Sequence, residues 1–196
     1  MRRRALLLVP VLLGLAARDA HAHLMNSGCG PFYDGLVHPC VTIGDLLPVL
    51  ALGLLAGPCG PRCGRWTLFA LPLSWAGGMV AAPALGGPAV PVWWAGAVTL
   101  VLGAMVAAGR AWPPGVVAGL AVVAGVAQGL GNGCELAPVV GGEVAMAGVV
   151  CALFVVMALV AGQVSSLRSG GARIGVRVAG SWIAAIGLLL LGWAVR

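Results

Sequence analysis

The sequence predicts an all-α polytopic membrane protein, a compact bundle of six transmembrane helices behind a cleaved signal peptide. Three observations carry that prediction. Only 8% of the 196 residues are charged and 61% are hydrophobic, with a mean hydropathy of +1.06. A soluble domain carries about 25% charged residues, so this chain cannot clothe a water-facing surface, and its partner is the lipid bilayer. Apolar runs of spanning length recur between Gly, Pro and Arg punctuation. All eleven basic residues are Arg and stand singly or in small groups between those runs. Nucleic-acid binding would need a basic stripe on a polar face, so that partner is excluded.

At the N-terminus, Arg2, Arg3 and Arg4 precede an apolar run from Ala5 to Ala17, followed by Ala20-His21-Ala22. These are the charged, apolar and small-residue parts of a secretory leader, and they predict residues 1–22 as a signal peptide cleaved after Ala22. The run is too short to span, since a helix needs about 20 residues to cross. The mature chain, a single transmembrane domain over 23–196, would begin at His23 on the periplasmic or extracellular side of a bacterial inner membrane. There the α-amino group and the imidazole of His23 can chelate a divalent metal, or His23 belongs to a frayed tail.

Six spans follow, at about 42–57, 66–84, 90–109, 115–131, 143–163 and 176–195. A β-barrel would show strands of alternating polarity, and none are visible. With the mature N-terminus outside, Arg62, Arg65, Arg110, Arg168, Arg173 and Arg177 fall in cytoplasmic loops and only Arg196 falls outside, as the positive-inside rule requires. The acids Asp34, Asp45, Glu135 and Glu143 lie at or near the outer face, forming either a cation-attracting vestibule or a solvated rim. Trp66 and Trp112 lie near the inner boundary and Trp93, Trp94 and Trp193 near the outer one. Trp75 and Trp182 are expected to pack between helices. Glycines inside the spans allow helices to approach closely.

The polar chemistry concentrates in residues 23–47. Pro39 suits a helix first turn, so the first span is expected to begin there. From His38, Thr42 is four residues on and Asp45 seven, and a continuous helix would place the three on one face. His38 and Asp45 would then be separated by about 10 Å along the axis, too far to ligate one ion together, and would serve as successive stops on a path or as two half-sites completed by other helices. An ionisable group near or within a span is a functional candidate by default. Asp45 is the strongest of these, and its bland alternative is a first-turn acid complementing the helix dipole.

No enzyme is expected, because the deep hydroxyls Ser74 and Ser181 have no histidine in a span to activate them. Outside, Cys29 could pair with Cys40 or Cys134 in a staple. Cys59 and Cys63 form a weak zinc signal in an inner loop. The Gly/Pro-rich stretch 131–138 reads as a loop that either turns in solvent or brings Glu135 over the His38 helix. No nucleotide-binding loop is present.

Four features resemble the HupE/UreJ family of small membrane proteins. They are the leader ending in Ala22 with His23 next, Gly30-Pro-Phe-Tyr-Asp-Gly-Leu-Val-His38-Pro39, the run from Asp45 to Gly57, and the closing Gly180–Trp193 segment. The resemblance implies a six- or seven-helix permease for nickel or cobalt, associated with hydrogenase or urease maturation partners. His38 corresponds to the family's histidine. Thr42, Gly44 and Asp45 stand where the better-known branch has Gly, Asp and His, so Asp45 corresponds by position and polarity.

Two functions result. One is a permease or facilitator for a divalent transition metal, with His38, Asp45, His23, Asp34 and Glu135 as metal-binding candidates and no permanently bound cofactor. Carboxylate and imidazole bind such ions without thiolates, and Met25 beside His23 keeps copper among the cargoes. The other is a non-transporting accessory or scaffold that binds metal or a partner at its outer face. The poverty of polar residues deep in spans two to six favours the latter.

Overall fold

The computed structural model describes residues 27–86, 90–167 and 169–196. The expected leader, His23, Met25 and Arg168 lie outside the described residues. Seven α-helices are present among the described residues, with no strand: α1 (Pro31–Val41), α2 (Ile43–Ala56), α3 (Pro61–Ala81), α4 (Trp94–Ala108), α5 (Pro114–Leu136), α6 (Gly142–Ser166) and α7 (Gly170–Ala194). A 3-10 turn, Ala82–Leu85, extends α3. The helical prediction holds because lipid leaves helices as one of the few ways to satisfy every backbone group.

Four helices, α3, α5, α6 and α7, are long and apolar enough to cross a membrane. The pair α1 and α2 passes the same test together but bends by 72°. Helix α4, with 15 residues, is shorter than a usual span. Four to five crossings therefore stand on length and composition, against the six expected.

Start and end points differ from expectation at the first and fourth segments. The first helix begins at Pro31, and Pro39 lies inside it instead of opening it. The chain breaks at Thr42, whose backbone is extended (φ −88°, ψ 101°), and α2 starts at Ile43. Thr42 closes both helices: its N–H donates to the His38 carbonyl at 3.1 Å, and its own carbonyl accepts from Asp45 and Leu46 at 3.0 and 2.9 Å. Helix α5 runs on to Leu136, so 131–136 is not a loop. Gly131, Asn132 and Gly133 read as turn residues in sequence, yet helical packing overrides that propensity.

Glycine seams hold the helices in pairs. A Cβ on Gly125, Gly129 or Gly133 of α5 would strike the backbone or side chains at Leu71–Ser74, Trp75 and Met79–Ala82 along α3, so the two helices run in the same sense with their backbones touching. Gly96 and Gly103 of α4 meet Leu191 and Ala184 of α7 in the opposite sense. Between lipid-solvated helices no hydrophobic force is available, and close backbone approach supplies dispersion instead. Along α6, Ala145 lies against Gly35 of α1, and Val160 and Val164 lie against Gly53 and Gly57 of α2. The broken pair thus advances beside α6 in one direction.

These registers gather charge at opposite ends. Arg62, Arg65, Arg110, Arg173 and Arg177 lie at one end, here the arginine end. Asp34, Glu135 and Glu143 lie at the other, the carboxylate end. Trp75 is fully buried between α3 and α5, as expected, but Trp182 is 69% exposed and faces outward from α7. Position 182 lies outside the Gly180, Ile183 and Gly187 stripe that meets α4, so depth along the span does not bring it inside.

Candidate functional site: a buried polar cluster at the broken helix

The break at Thr42 determines the site. A continuous helix would separate His38 from Asp45 by about 10 Å. The bend folds α2 across the end of α1, and His38 Nε2 lies 3.7 Å from Asp45 Oδ2. The two groups therefore share one place and are not successive stops. Asp45 does occupy the first turn of α2, but its carboxylate points into the protein and is 5% exposed.

Helix α5 completes the cluster. Gln128 and Asn132, four residues apart, share one helical face, and both are buried. Asn132 Nδ2 donates to Asp45 Oδ2 at 3.0 Å, and Gln128 Nε2 donates to Asp45 Oδ1 at 3.1 Å. The same Gln128 nitrogen donates to the Gly44 carbonyl at 2.7 Å. That carbonyl needs an outside partner because the residue four positions on is Pro48, which has no N–H to return. Proline thus uncovers a backbone acceptor at the start of α2, and an amide of a distant helix covers it.

One polar atom of the cluster is unmatched. His38 is 2% exposed, and its Nε2 makes no hydrogen bond of good geometry among the described residues, although the Asn132 amide stands near enough to act on the ring. At 3.7 Å the Asp45 oxygen is beyond hydrogen-bond range. Leaving a buried polar group unmade costs about 1–3 kcal/mol. The gap has a meaning for ligation: two ligands each about 2.1 Å from one ion can stand up to about 4.2 Å apart, so a single cation can touch both.

The other candidates lie apart from this pair. Asp34 lies one turn before His38 on α1, and its Oδ1 accepts from the Ser27 N–H at 2.6 Å. Glu135 ends α5 as an exposed side chain, near enough for its charge to act on both His38 and Asp45. Glu143, in the first turn of α6, is exposed. No group of three or more His, Cys, Asp or Glu side chains suited to a metal is present among the described residues. The vestibule thus resolves into one buried acid and three outlying ones.

Cys29 and Cys40 carry free thiols, so neither expected staple through Cys29 is formed. Cys59, in the turn before α3, donates to the Trp112 carbonyl at 3.2 Å. Cys63 is fully buried one turn into α3.

Gln128 and Asn132 were not singled out from the sequence. Their signal was there: two amides at helical spacing in the run Val122–Gly133, otherwise composed of Val, Ala, Gly and Leu.

A helical bundle of this composition, with charge sorted to its two ends and a polar cluster sealed at a broken helix, defines a multi-pass membrane protein. The chain belongs to the HupE/UreJ family: the model of that family, described as HupE / UreJ protein, matches residues 11–190. Comparison with curated proteins and with solved structures returned no match.

Proposed function

We propose that the protein is a membrane permease or facilitator for a divalent transition metal, nickel or cobalt, and that the ion is held in passage by His38 and Asp45. The observation that carries this reading is the unpaired, buried Nε2 of His38 facing the Asp45 carboxylate across 3.7 Å. Imidazole and carboxylate suit such ions, and the absence of a thiolate lets the ion leave again. The amides of Gln128 and Asn132 border the same carboxylate, and each would add a neutral oxygen ligand if turned toward the ion. The HupE/UreJ family is associated with nickel or cobalt transport and with hydrogenase or urease maturation, which agrees with this donor set.

In this reading α4 makes the sixth crossing beside α7, and the arginine end is cytoplasmic by the positive-inside rule. Ions arrive at the carboxylate end, where Asp34, Glu135 and Glu143 raise the local cation concentration. They reach the pair at the bend of the first span. Transport follows a gradient or a partner's work.

One observation favours the second reading, a non-transporting accessory. The buried hydroxyls of Thr67, near the arginine end, and of Thr99, in the carboxylate-end half of α4, are spent on carbonyls of their own helices, at 2.9 and 2.7 Å, and offer an ion no second stop. Uptake of nickel and cobalt into proteoliposomes separates the readings. The permease reading expects metal accumulation above empty liposomes, abolished by His38→Ala and by Asp45→Ala. Metal binding by wild type without accumulation supports the accessory, and accumulation indifferent to both substitutions contradicts the site.

A further inference from the structure

A second site lies at the opposite end of the bundle. A groove of about 530 Å³ opens between α3 and α5, lined by Arg62, Arg65, Trp66, Phe69, Ala70 and Ala118. The spacing of Arg62, Arg65 and Phe69 puts the three on one face of α3. Ala118 lies two turns before Gly125 on α5, so the groove begins where the glycine seam between these helices ends.

The charge of this groove is unmatched. Neither Arg62 nor Arg65 has an ion-pair or hydrogen-bond partner among the described residues. Two other arginines at this end are accommodated, Arg110 over the Trp112 ring at 5.3 Å from its centroid and Arg177, whose Nε donates to the Ala107 carbonyl at 3.1 Å, while Arg173 stands exposed on α7, outside the groove. Arg62 and Arg65 also occupy the first turns of α3, where the helix dipole is positive and a cation is unfavourable. No acid lies at this end among the described residues. Two guanidiniums thus border one open groove, an arrangement that recognises a phosphate.

Beneath the arginines the lining turns apolar with Phe69, Ala70 and Ala118, and Trp66, 55% exposed, marks the headgroup level. A free phosphate would satisfy the rim and leave this apolar floor without a partner.

We infer that the groove binds an anionic phospholipid from the leaflet at the arginine end, with its phosphate between Arg62 and Arg65 and an acyl chain along Phe69, Ala70 and Ala118. This site depends on the protein being in a membrane but not on its cargo, so a failure of metal uptake leaves it standing.

The test uses the full chain in mild detergent, with retained lipid counted by native mass spectrometry after adding phosphatidylglycerol or phosphatidylcholine. Phosphatidylglycerol is expected to be retained in preference, and Arg62→Gln/Arg65→Gln to weaken it about thirtyfold, at about fivefold per arginine. Ala118→Phe keeps both charges and fills the apolar floor, and is expected to lose the lipid as well, which covers the case in which the arginine variant fails to insert. Equal retention of the two lipids, full retention by Ala118→Phe, or complete displacement of phosphatidylglycerol by inorganic phosphate would overturn the inference.

Discussion

The first span and the third helix both carry an internal proline, yet only one of them breaks. Helix α3 continues through Pro72 and stays a single rod, with its glycine-lined seam against α5 running from Leu71 onward to Ala82. The first span carries Pro39 and Pro48 on either side of Thr42 and folds by 72°. Its freed backbone is answered from another helix, through Gln128. Proline alone therefore does not make a break in this bundle. The span that bends is the one whose proline-freed carbonyl, at Gly44, is covered by a side chain of another helix, and that side chain belongs to the candidate site.

The largest effect is expected from attacking the seam. Gly129→Leu places a side chain against the Trp75 carbonyl, where only backbone could yield. Overpacking of this kind costs about 1–3 kcal/mol in soluble cores and more where nothing flexible can move. Folded protein recovered by size-exclusion chromatography should fall to a small fraction of wild type. Recovery equal to wild type would mean that the helices are not in backbone contact.

Next in size is Asp45→Ala, which leaves the Asn132 amide without its acceptor, at about 1–3 kcal/mol, and Gln128 with the Gly44 carbonyl alone. A drop in unfolding temperature accompanied by lost metal uptake is expected. Asp45→Asn retains an acceptor and should recover part of the stability while still lacking the charge needed for uptake.

Gln128→Leu probes the proline argument itself. Alone it exposes the Gly44 carbonyl and removes one donor from Asp45, for about 1–3 kcal/mol. In a Pro48→Ala background the alanine N–H can take over that carbonyl. The loss on Gln128→Leu should therefore be smaller there, as a double-mutant cycle of unfolding temperatures would show. Equal losses in both backgrounds would remove the link between Pro48 and Gln128.

The smallest effect is reserved for Glu135→Gln. This exposed carboxylate acts through its field alone, so uptake should fall by less than about twofold and the difference should fade as salt is raised. A loss as large as that from Asp45→Ala would move Glu135 into the ligand set.

The all-helical, membrane-spanning character and the sorting of charge were legible because composition and run length report directly on lipid, whereas four to five crossings stand against the six expected. His38 and Asp45 stood out because an imidazole and a carboxylate are costly beside hydrocarbon. Their union was not legible. Thr42 is neither Gly nor Pro, so nothing in its type announced an extended residue there, and Pro39 read as a helix start. Asn132, between Gly131 and Gly133, resembled a turn, although Gly133 serves the seam with α3. Gln128 passed unnoticed among small apolar neighbours because its partner, the Gly44 carbonyl, becomes an acceptor only through Pro48, 80 residues earlier in the chain.

The most direct test of the central claim is the X-ray absorption spectrum of nickel bound to the full-length protein, compared with that of its His38→Ala variant. An imidazole signature is expected in the wild type and should disappear in the variant while oxygen ligation persists. An imidazole contribution unchanged by the substitution would place the metal elsewhere and contradict that claim.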